Sequence, residues 1–349
     1  MMMKKLLSVL MLSALLVSCS ASLSDASPST AGAGRDNVTS SAPDSGTAAD
    51  PAEDTTDATA DASSGVPEAE GYASYEGSEL GGNLRYTTYK GKKITDFSFL
   101  DGLSRNFFSD TDKSDPTGSW YCGKTERDET TGEVRVIFER AADVLEAMEK
   151  YGAVYRKNED EKVIYLTFDC GYENGYTGQI LDILKEKGVK GAFFLNGQFI
   201  KTAPELVKRM LDEGHIVGNH GNNHKVMSKL TIEELFYEVE SNNALLQQAV
   251  PGAPYMKYFR PPAGSCSEWD LALYQAMDLE CVLYSWAYYD YAVDAQPDAA
   301  SALAQMKSGL HNGSVLMFHC VGETNGLVLG DFIDYARSEG FTIGDIRDE

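Results

Sequence analysis

The chain has 349 residues, 43% of them hydrophobic and 10% aromatic. This is the composition of a globular protein that can bury a sizeable core, in one large domain or two small ones. Its formal net charge of −23 repels a phosphate backbone and argues against nucleic acid as a partner.

At the N-terminus, Lys4 and Lys5 precede an apolar run from Leu6 to Val17. A bilayer-spanning helix needs roughly 20 apolar residues, so this run suits a signal-peptide core rather than a membrane span. It ends Leu16-Val17-Ser18-Cys19, which resembles the bacterial lipobox. That resemblance implies that residues 1–19 form a lipoprotein signal peptide and that Cys19 is lipidated. The mature chain would then begin at Cys19 and be anchored to the outer face of the cell membrane. The alternative is an ordinary signal peptide in which Cys19 is incidental. Residues 20–80 follow, rich in Ala, Ser, Thr and Asp. Their twelve Asp/Glu against the single Arg35 give a charge of 1 − 12 = −11. Such a stretch cannot bury enough apolar surface to offset its ordering entropy, and it reads as a disordered acidic tether. Residues 81–118, polar, aromatic and turn-rich, read as an N-terminal extension packed on the domain formed by residues 119–349.

Within that domain, Phe138 to Tyr151 carries helical spacing through Ala142, Val144, Leu145 and Met148. From Val163 onward, short apolar runs alternate with amphipathic stretches. The runs are Val163–Phe168, Ala192–Leu195, His215–Val217, Tyr258–Phe259, Cys281–Trp286 and Val315–Phe318. Helical patterns fall at Thr177–Lys187, Pro204–Glu213, Thr231–Ala249, Ser267–Met277, Asp298–Leu310 and Gly326–Glu339, and Thr231 with Glu234 spells a capping box. Continuous apolar strands separated by helices predict a parallel sheet wrapped by helices. The fold class is therefore α/β, and about seven such units would close into a barrel, complete or distorted.

Polar clusters close these strands, on the face where parallel barrels build their sites. His220 and His224 are four apart, and on a helical turn both imidazoles would face one metal; they could also be two surface histidines. Asp169 ends an apolar strand and could act as general base toward a metal-activated water, or merely cap the next helix. Arg260, stiffened by Pro261 and Pro262, could orient Asp169 or form a plain strand-end ion pair. His319 follows a core strand, which is compatible with either catalysis or a satisfied polar role. Asp290, in the cluster from Ser285 to Tyr291, is weaker evidence when taken alone.

Together these five clusters resemble the polysaccharide deacetylase family with the NodB-homology domain, the family 4 carbohydrate esterases. The resemblance covers about residues 119–346, with all five motifs in order, and it implies a distorted (β/α) barrel with seven or eight parallel strands. The phrases Tyr165–Asp169, Gly171–Tyr176 and Asp212–His220 are similar to the branch that de-N-acetylates muramic acid during delta-lactam formation in peptidoglycan, and so are Gly118–Trp120 and the Phe138–Tyr155 region. The resemblance implies that Asp169 is the general base, His220 and His224 metal ligands, and Arg260 the residue that orients the base. It implies that His319 is the general acid, that Asp290 tunes it, and that the backbone N–H near Ala263 is an oxyanion donor.

The implied enzyme is a metal-dependent hydrolase that removes N-acetyl groups from an envelope polysaccharide, with N-acetylmuramic acid of peptidoglycan as its substrate and a monomeric state. Alternatives are an N-acetylglucosamine deacetylase, an O-acetyl esterase and a catalytically weak glycan-binding module. The cofactor is one divalent metal ion, zinc first, with cobalt or manganese as alternatives.

The sequence departs from the family pattern at three places. Cys170 stands where many members have a metal-binding aspartate, and as a thiolate it could be a ligand that favours zinc. Ala287 and Tyr291 replace an aspartate and a tryptophan of the fourth motif, and Cys320 follows His319 where many members have aspartate. No cysteine pair has CxxC spacing, and the five besides Cys19 spell no disulfide framework. If the barrel closes, however, Cys170 and Cys320 lie on neighbouring strands and could share a disulfide or a metal.

Overall fold

The structure, a computed structural model, describes residues 86–88, 90, 92–106, 124–127, 134–137 and 142–348. All lie in one compact unit, Ser63–Glu349. The signal-peptide and tether readings, Cys19, Gly118–Trp120 and Cys122 fall outside the described residues.

Two small antiparallel hairpins come first: β1 (Tyr86–Thr87) with β2 (Lys93–Ile94), and β3 (Lys124–Arg127) with β4 (Val134–Ile137). Past β2 the chain lies on the domain. Ile94 and Leu100 are buried in its core, the ring of Phe97 meets Phe236 edge-on, and Arg105 stacks 3.7 Å over Trp269. Helix α1 (Ala142–Tyr151) occupies the C-terminal part of the predicted 138–151 helix.

The α/β pattern then runs as the apolar periodicity predicts: β5 (Val163–Cys170), α2 (Thr177–Lys187), β6 (Ala192–Leu195), α3 (Gly197–Thr202), α4 (Pro204–Asp212), β7 (Ile216–Asn219), α5 (Ile232–Ala249), β8 (Tyr258–Phe259), α6 (Glu268–Ala276), β9 (Glu280–Cys281), β10 (Trp286–Ala287), α7 (Ala299–Ser308), β11 (Ser314–His319), α8 (Glu323–Ser338) and β12 (Thr342–Gly344). The capping box of α5 forms in both halves, with Thr231 Oγ1 accepting from Glu234 N at 3.2 Å and Thr231 N donating back to Glu234 at 2.9 Å. A second box, Ser267 with Asp270, starts α6. Helix α3 has no run of apolar spacing long enough to mark it. Its start is fixed by the Asn196 side chain, which accepts from Phe199 N.

The strands pair in parallel in the order β10-β11-β5-β6-β7-β8-β9, with β12 added against β5. The run Cys281–Trp286, predicted as one strand, becomes two short ones at opposite ends of this path. β9 pairs with β8, and β10 pairs with β11. The four residues between them can reach no more than about 17 Å. Both ends of the sheet are therefore drawn together, and the path is a curled, incomplete barrel of seven parallel strands.

Alternation along the central strands divides the core. Ile164, Leu166, Phe168 and Cys170 of β5, with Leu316, Phe318 and Cys320 along β11, pack against α2, α4, α7 and α8. The other face carries Val163 and Tyr165 of β5 and Val315 and Met317 of β11, packed with α1 and α6. Each large side chain moved from water into these layers contributes ~1.5–3 kcal/mol. By the same alternation Asp169 and His319, directly paired in the β5–β11 register, face away from the layer that holds Cys170 and Cys320.

Candidate active site

Asp169 is 7% exposed at the end of β5, and Arg260, just after β8, is fully buried beside it. Arg260 Nη1 donates to Asp169 Oδ1 at 2.7 Å and Nη2 to Thr167 Oγ1 at 2.9 Å. Nε donates to the Val282 carbonyl at 2.8 Å and Nη2 also to Leu283 O at 3.1 Å, so one guanidinium spans β5 and the β9–β10 crossing. Its Cζ lies 4.2 Å from the centre of the Phe194 ring. A buried charge is tolerated only when paired and hydrogen-bonded, and Arg260 is both. Burial pushes the Asp169 carboxyl up, but the Arg260 guanidinium, joined by His220 and His319, more than offsets it and the group is held below the ordinary carboxylate value. Asp169 is therefore an ionised carboxylate with one oxygen occupied. Its other oxygen, Oδ2, lies 3.7 Å from His220 Nε2.

His220 and His224 do not stand on a helical turn, as their spacing predicts. The chain leaves β7 into an irregular loop in which Gly221 has φ 72° and His224 φ 55°. The loop is held from behind by Glu238 of α5, which is 1% exposed and accepts from both the backbone N and the side-chain amide of Asn223 at 2.7 Å. The loop still brings the two imidazoles together, with ring centres 4.9 Å apart. His220 Nδ1 lies 2.8 Å from the Arg260 carbonyl, a bond it can make only as donor, which leaves the lone pair on Nε2, the nitrogen near Asp169. Burial lowers His220 to about 4, so the ring is neutral at physiological pH. A neutral imidazole with its far nitrogen fixed by a carbonyl has the chemistry of a metal ligand. Among the described residues, no group of three or more His, Cys, Asp or Glu is placed to hold a metal. The two histidines thus fit a cation as a partial ligand set.

Cys170 is not brought to them. It is buried on the opposite face of β5, with its Sγ 3.3 Å from Cys320 Sγ, because the strand's period of two points it into the helix-covered layer. That placement removes the basis for Cys170 as a third ligand.

Gly221 is where the loop admits least change. A Cβ there would sit 2.6 Å from Met227 Cε, on a backbone with positive φ. Gly221→Ala should cost ~1–2 kcal/mol in backbone strain alone. The expected result is a thermal midpoint lowered by several degrees together with weaker zinc binding by calorimetry. An unchanged affinity would mean that the loop does not set the spacing of the histidines.

His319 ends β11 and keeps 23% of its side chain exposed, whereas Asp290 beside it is fully buried. Asp290 Oδ1 accepts from His319 Nδ1 at 2.7 Å, and Oδ2 accepts from the His319 backbone N at 2.8 Å. Burial disfavours the imidazolium, but the Asp290 charge and hydrogen bond outweigh it and raise His319 above its ordinary value. With Nδ1 committed to Asp290, Nε2 is the nitrogen left to exchange a proton.

The structure adds residues that the motifs do not mark. Asn325, in the first turn of α8, donates to Asp290 Oδ2 at 2.7 Å and to the His319 carbonyl at 2.9 Å, and its own oxygen accepts from Tyr288 OH. Asn325 and Glu238 carry no sequence signal, since each is a lone polar residue in a helical pattern and only packing shows what it holds. Ala263, in a short turn after Pro261-Pro262, adopts φ 56°, an unusual conformation for a residue with a Cβ. The ring of Tyr291 meets that of His319 edge-on at 5.5 Å.

Comparison with known proteins matches residues 156–282 to the polysaccharide deacetylase family. The chain is 39% identical over 201 residues to the peptidoglycan-N-acetylmuramic acid deacetylase PdaA of Bacillus subtilis, covering 58% of this chain and 76% of that protein. It is 31% identical over 160 residues to a peptidoglycan-N-acetylglucosamine deacetylase of Bacillus cereus, covering 46% and 73%. The structure is similar to that of Bacillus subtilis PdaA, a family 4 carbohydrate esterase, with a TM-score of 0.59, 35% identity and coverage of 64% and 94%. A family 4 carbohydrate esterase from Bacillus anthracis follows at 0.52 and 34%, with coverage of 64% and 95%.

Proposed function

The chain belongs to the polysaccharide deacetylase family, and from that premise we propose that it hydrolyses N-acetyl groups on an envelope glycan, with N-acetylmuramic acid of peptidoglycan as the substrate. One observation carries the reading. On adjacent strands the site holds an ionised carboxylate, Asp169 fixed by Arg260, and a histidine whose protonated form is favoured, His319 fixed by Asp290. An oriented base facing an oriented acid is what amide hydrolysis requires. The identity to PdaA and the Gly171–Tyr176 phrase support muramic acid as the sugar.

A divalent cation held by His220 and His224, with zinc the first choice, would polarise the acetamide oxygen and make water more acidic. The chain's own residues do the rest. Asp169 Oδ2 takes a proton from the attacking water as its oxygen bonds to the acetyl carbon. The Ala263 backbone N–H, in the turn stiffened by Pro261 and Pro262, would steady the oxyanion. His319 Nε2 gives its proton to the sugar nitrogen as the C–N bond breaks, so acetate and a free amine leave. Arg260 keeps Asp169 ionised and aimed, and Asp290 with Asn325 keeps His319 in the right tautomer. Signal-peptide features at residues 1–19 and Cys19 support an extracytoplasmic chain, lipid-anchored through the acidic tether beside its polymer.

The test is acetate release by the full chain, with zinc, cobalt or EDTA, on glycan strands stripped of stem peptides and on chitin oligomers. Metal-dependent release from the stripped strands, with new muramic amine or lactam by mass spectrometry, is expected. Release from chitin oligomers alone would move the substrate to N-acetylglucosamine. Glycan binding with no release would leave a binding module.

The acid's environment gives a pH prediction. Because Asp290 raises His319, the imidazolium persists above its ordinary pH range, and kcat/KM should fall as pH rises through the raised value. Asp290→Asn removes the charge, so the alkaline limb should move to lower pH. Stability follows the same sign. The His319–Asp290 pair contributes fully below the ordinary histidine value and is lost as pH rises through the raised one. An alkaline limb that stays in place in Asp290→Asn would remove His319 as the acid.

A further inference from the structure

The two buried sulfurs behind the site have no part in the chemistry above. Cys170 and Cys320 follow Asp169 and His319 directly, on strands whose last paired residues are Asp169 and His319 themselves. Both cysteines are fully buried, packed with Phe168 and Phe318 under α2 and α8. Their Sγ atoms are 3.3 Å apart, nearer than the Phe168 carbonyl, which lies 4.0 Å from Cys170 Sγ. Neighbouring positions of parallel strands lie ~4.8 Å apart, inside the ~4.4–6.8 Å Cα separation a disulfide accepts, and closing the sulfurs to ~2.05 Å asks each to move by only about 0.6 Å.

We propose that Cys170 and Cys320 form a disulfide that staples the C-terminal end of β5 to that of β11, immediately behind the base and the acid. Two other buried cysteines, Cys266 and Cys281, lie in the opposite core layer and are not partners for it. The reaction is thiol–disulfide exchange: Cys170 and Cys320 each lose a proton and together two electrons to an external disulfide, which leaves as two thiols. Because both sulfurs are shielded by packed helices, exchange takes place while the chain folds after export, and the finished bond is protected from small reductants. The bond closes a loop of about 150 residues, the length regime in which a cross-link constrains the unfolded chain most.

This inference rests on the exported reading for its oxidant, so the experiment separates the two. The full chain is refolded in an oxidised/reduced glutathione buffer and, in parallel, recovered from an exporting host. Each sample is denatured without reductant, alkylated, digested and mapped by mass spectrometry. The expected result in both is a Cys170–Cys320 linked peptide and a thermal midpoint about 5–15 °C above that of the chain refolded with excess reductant. In Cys170→Ala, Cys320 is alkylated and the midpoint no longer responds to redox. A linked peptide after refolding but alkylated thiols in cells would keep the site and overturn the export reading. Both thiols alkylated after refolding in the oxidising buffer, or a linkage to another cysteine, would overturn the proposal. The wild-type map decides this even if the variant does not fold.

Discussion

Asp169→Asn should lower kcat for acetate release by about 10²–10⁴-fold, the usual contribution of a positioned general base. The carboxylate has one oxygen committed to Arg260 at 2.7 Å and the other turned toward His220. Asparagine keeps the volume and can still accept from Arg260, but its amide cannot take a proton from water. The loss should therefore fall on kcat, with KM for the glycan little changed, since substrate binding does not depend on the proton acceptor. Zinc affinity serves as the control for an intact His220–His224 pair. A variant that retains near-wild-type turnover would sink the scheme, because no second carboxylate among the described residues is hydrogen-bonded to Arg260 to replace it.

The largest stability effect should come from Arg260→Met. The guanidinium is fully buried and donates to Asp169, Thr167, Val282 and Leu283, so methionine removes the cation that is hydrogen-bonded to the Asp169 charge in a low-dielectric interior. Breaking a buried pair from one side costs about 3–5 kcal/mol, chiefly because the surviving charge is left uncompensated. For a domain of this size that corresponds to a fall in thermal midpoint of roughly 10 °C or more. In the wild type Asp169 is held below its ordinary value, so its contribution to stability is present above the unfolded carboxylate range and is lost as pH falls through the lowered value.

In Arg260→Met the strongest opposition to burial is gone, the Asp169 value rises, and the acid limb of kcat/KM should move to higher pH. The double variant Arg260→Met with Asp169→Asn separates the two roles. It should recover much of the lost stability, since no buried charge remains, and recover none of the activity. Additive stability losses in that double variant would mean that the two side chains are not an energetic pair.

Much of this molecule was legible in the chain itself. Continuous apolar runs and helical spacing gave β6, β8 and α2 to the residue, because those segments are decided by which side chains must leave water. The capping box at Thr231 was legible for a similar reason, being a local hydrogen-bond exchange. Polar clusters at strand ends marked Asp169, His220, His224, Arg260 and His319, since a parallel sheet delivers strand ends to one rim whatever the details of its packing.

Tertiary structure decided what depends on long-range partners. Cys281–Trp286 splits into two strands because curling of the sheet offers it β8 at one end and β11 at the other. The His220–His224 loop is irregular, not helical, because Glu238 anchors Asn223 from another helix. Cys170 belongs to the helix-packed layer and to Cys320, not to the histidines, because one step along a strand reverses the side chain. Asn325 and Glu238 are ordinary polar residues in the linear chain, and only the fold brings them to the acid and to the histidine loop. Local patterns record how each segment avoids burying bare polar groups, whereas the pairing of residues distant in sequence is set by the register and curl of the whole sheet.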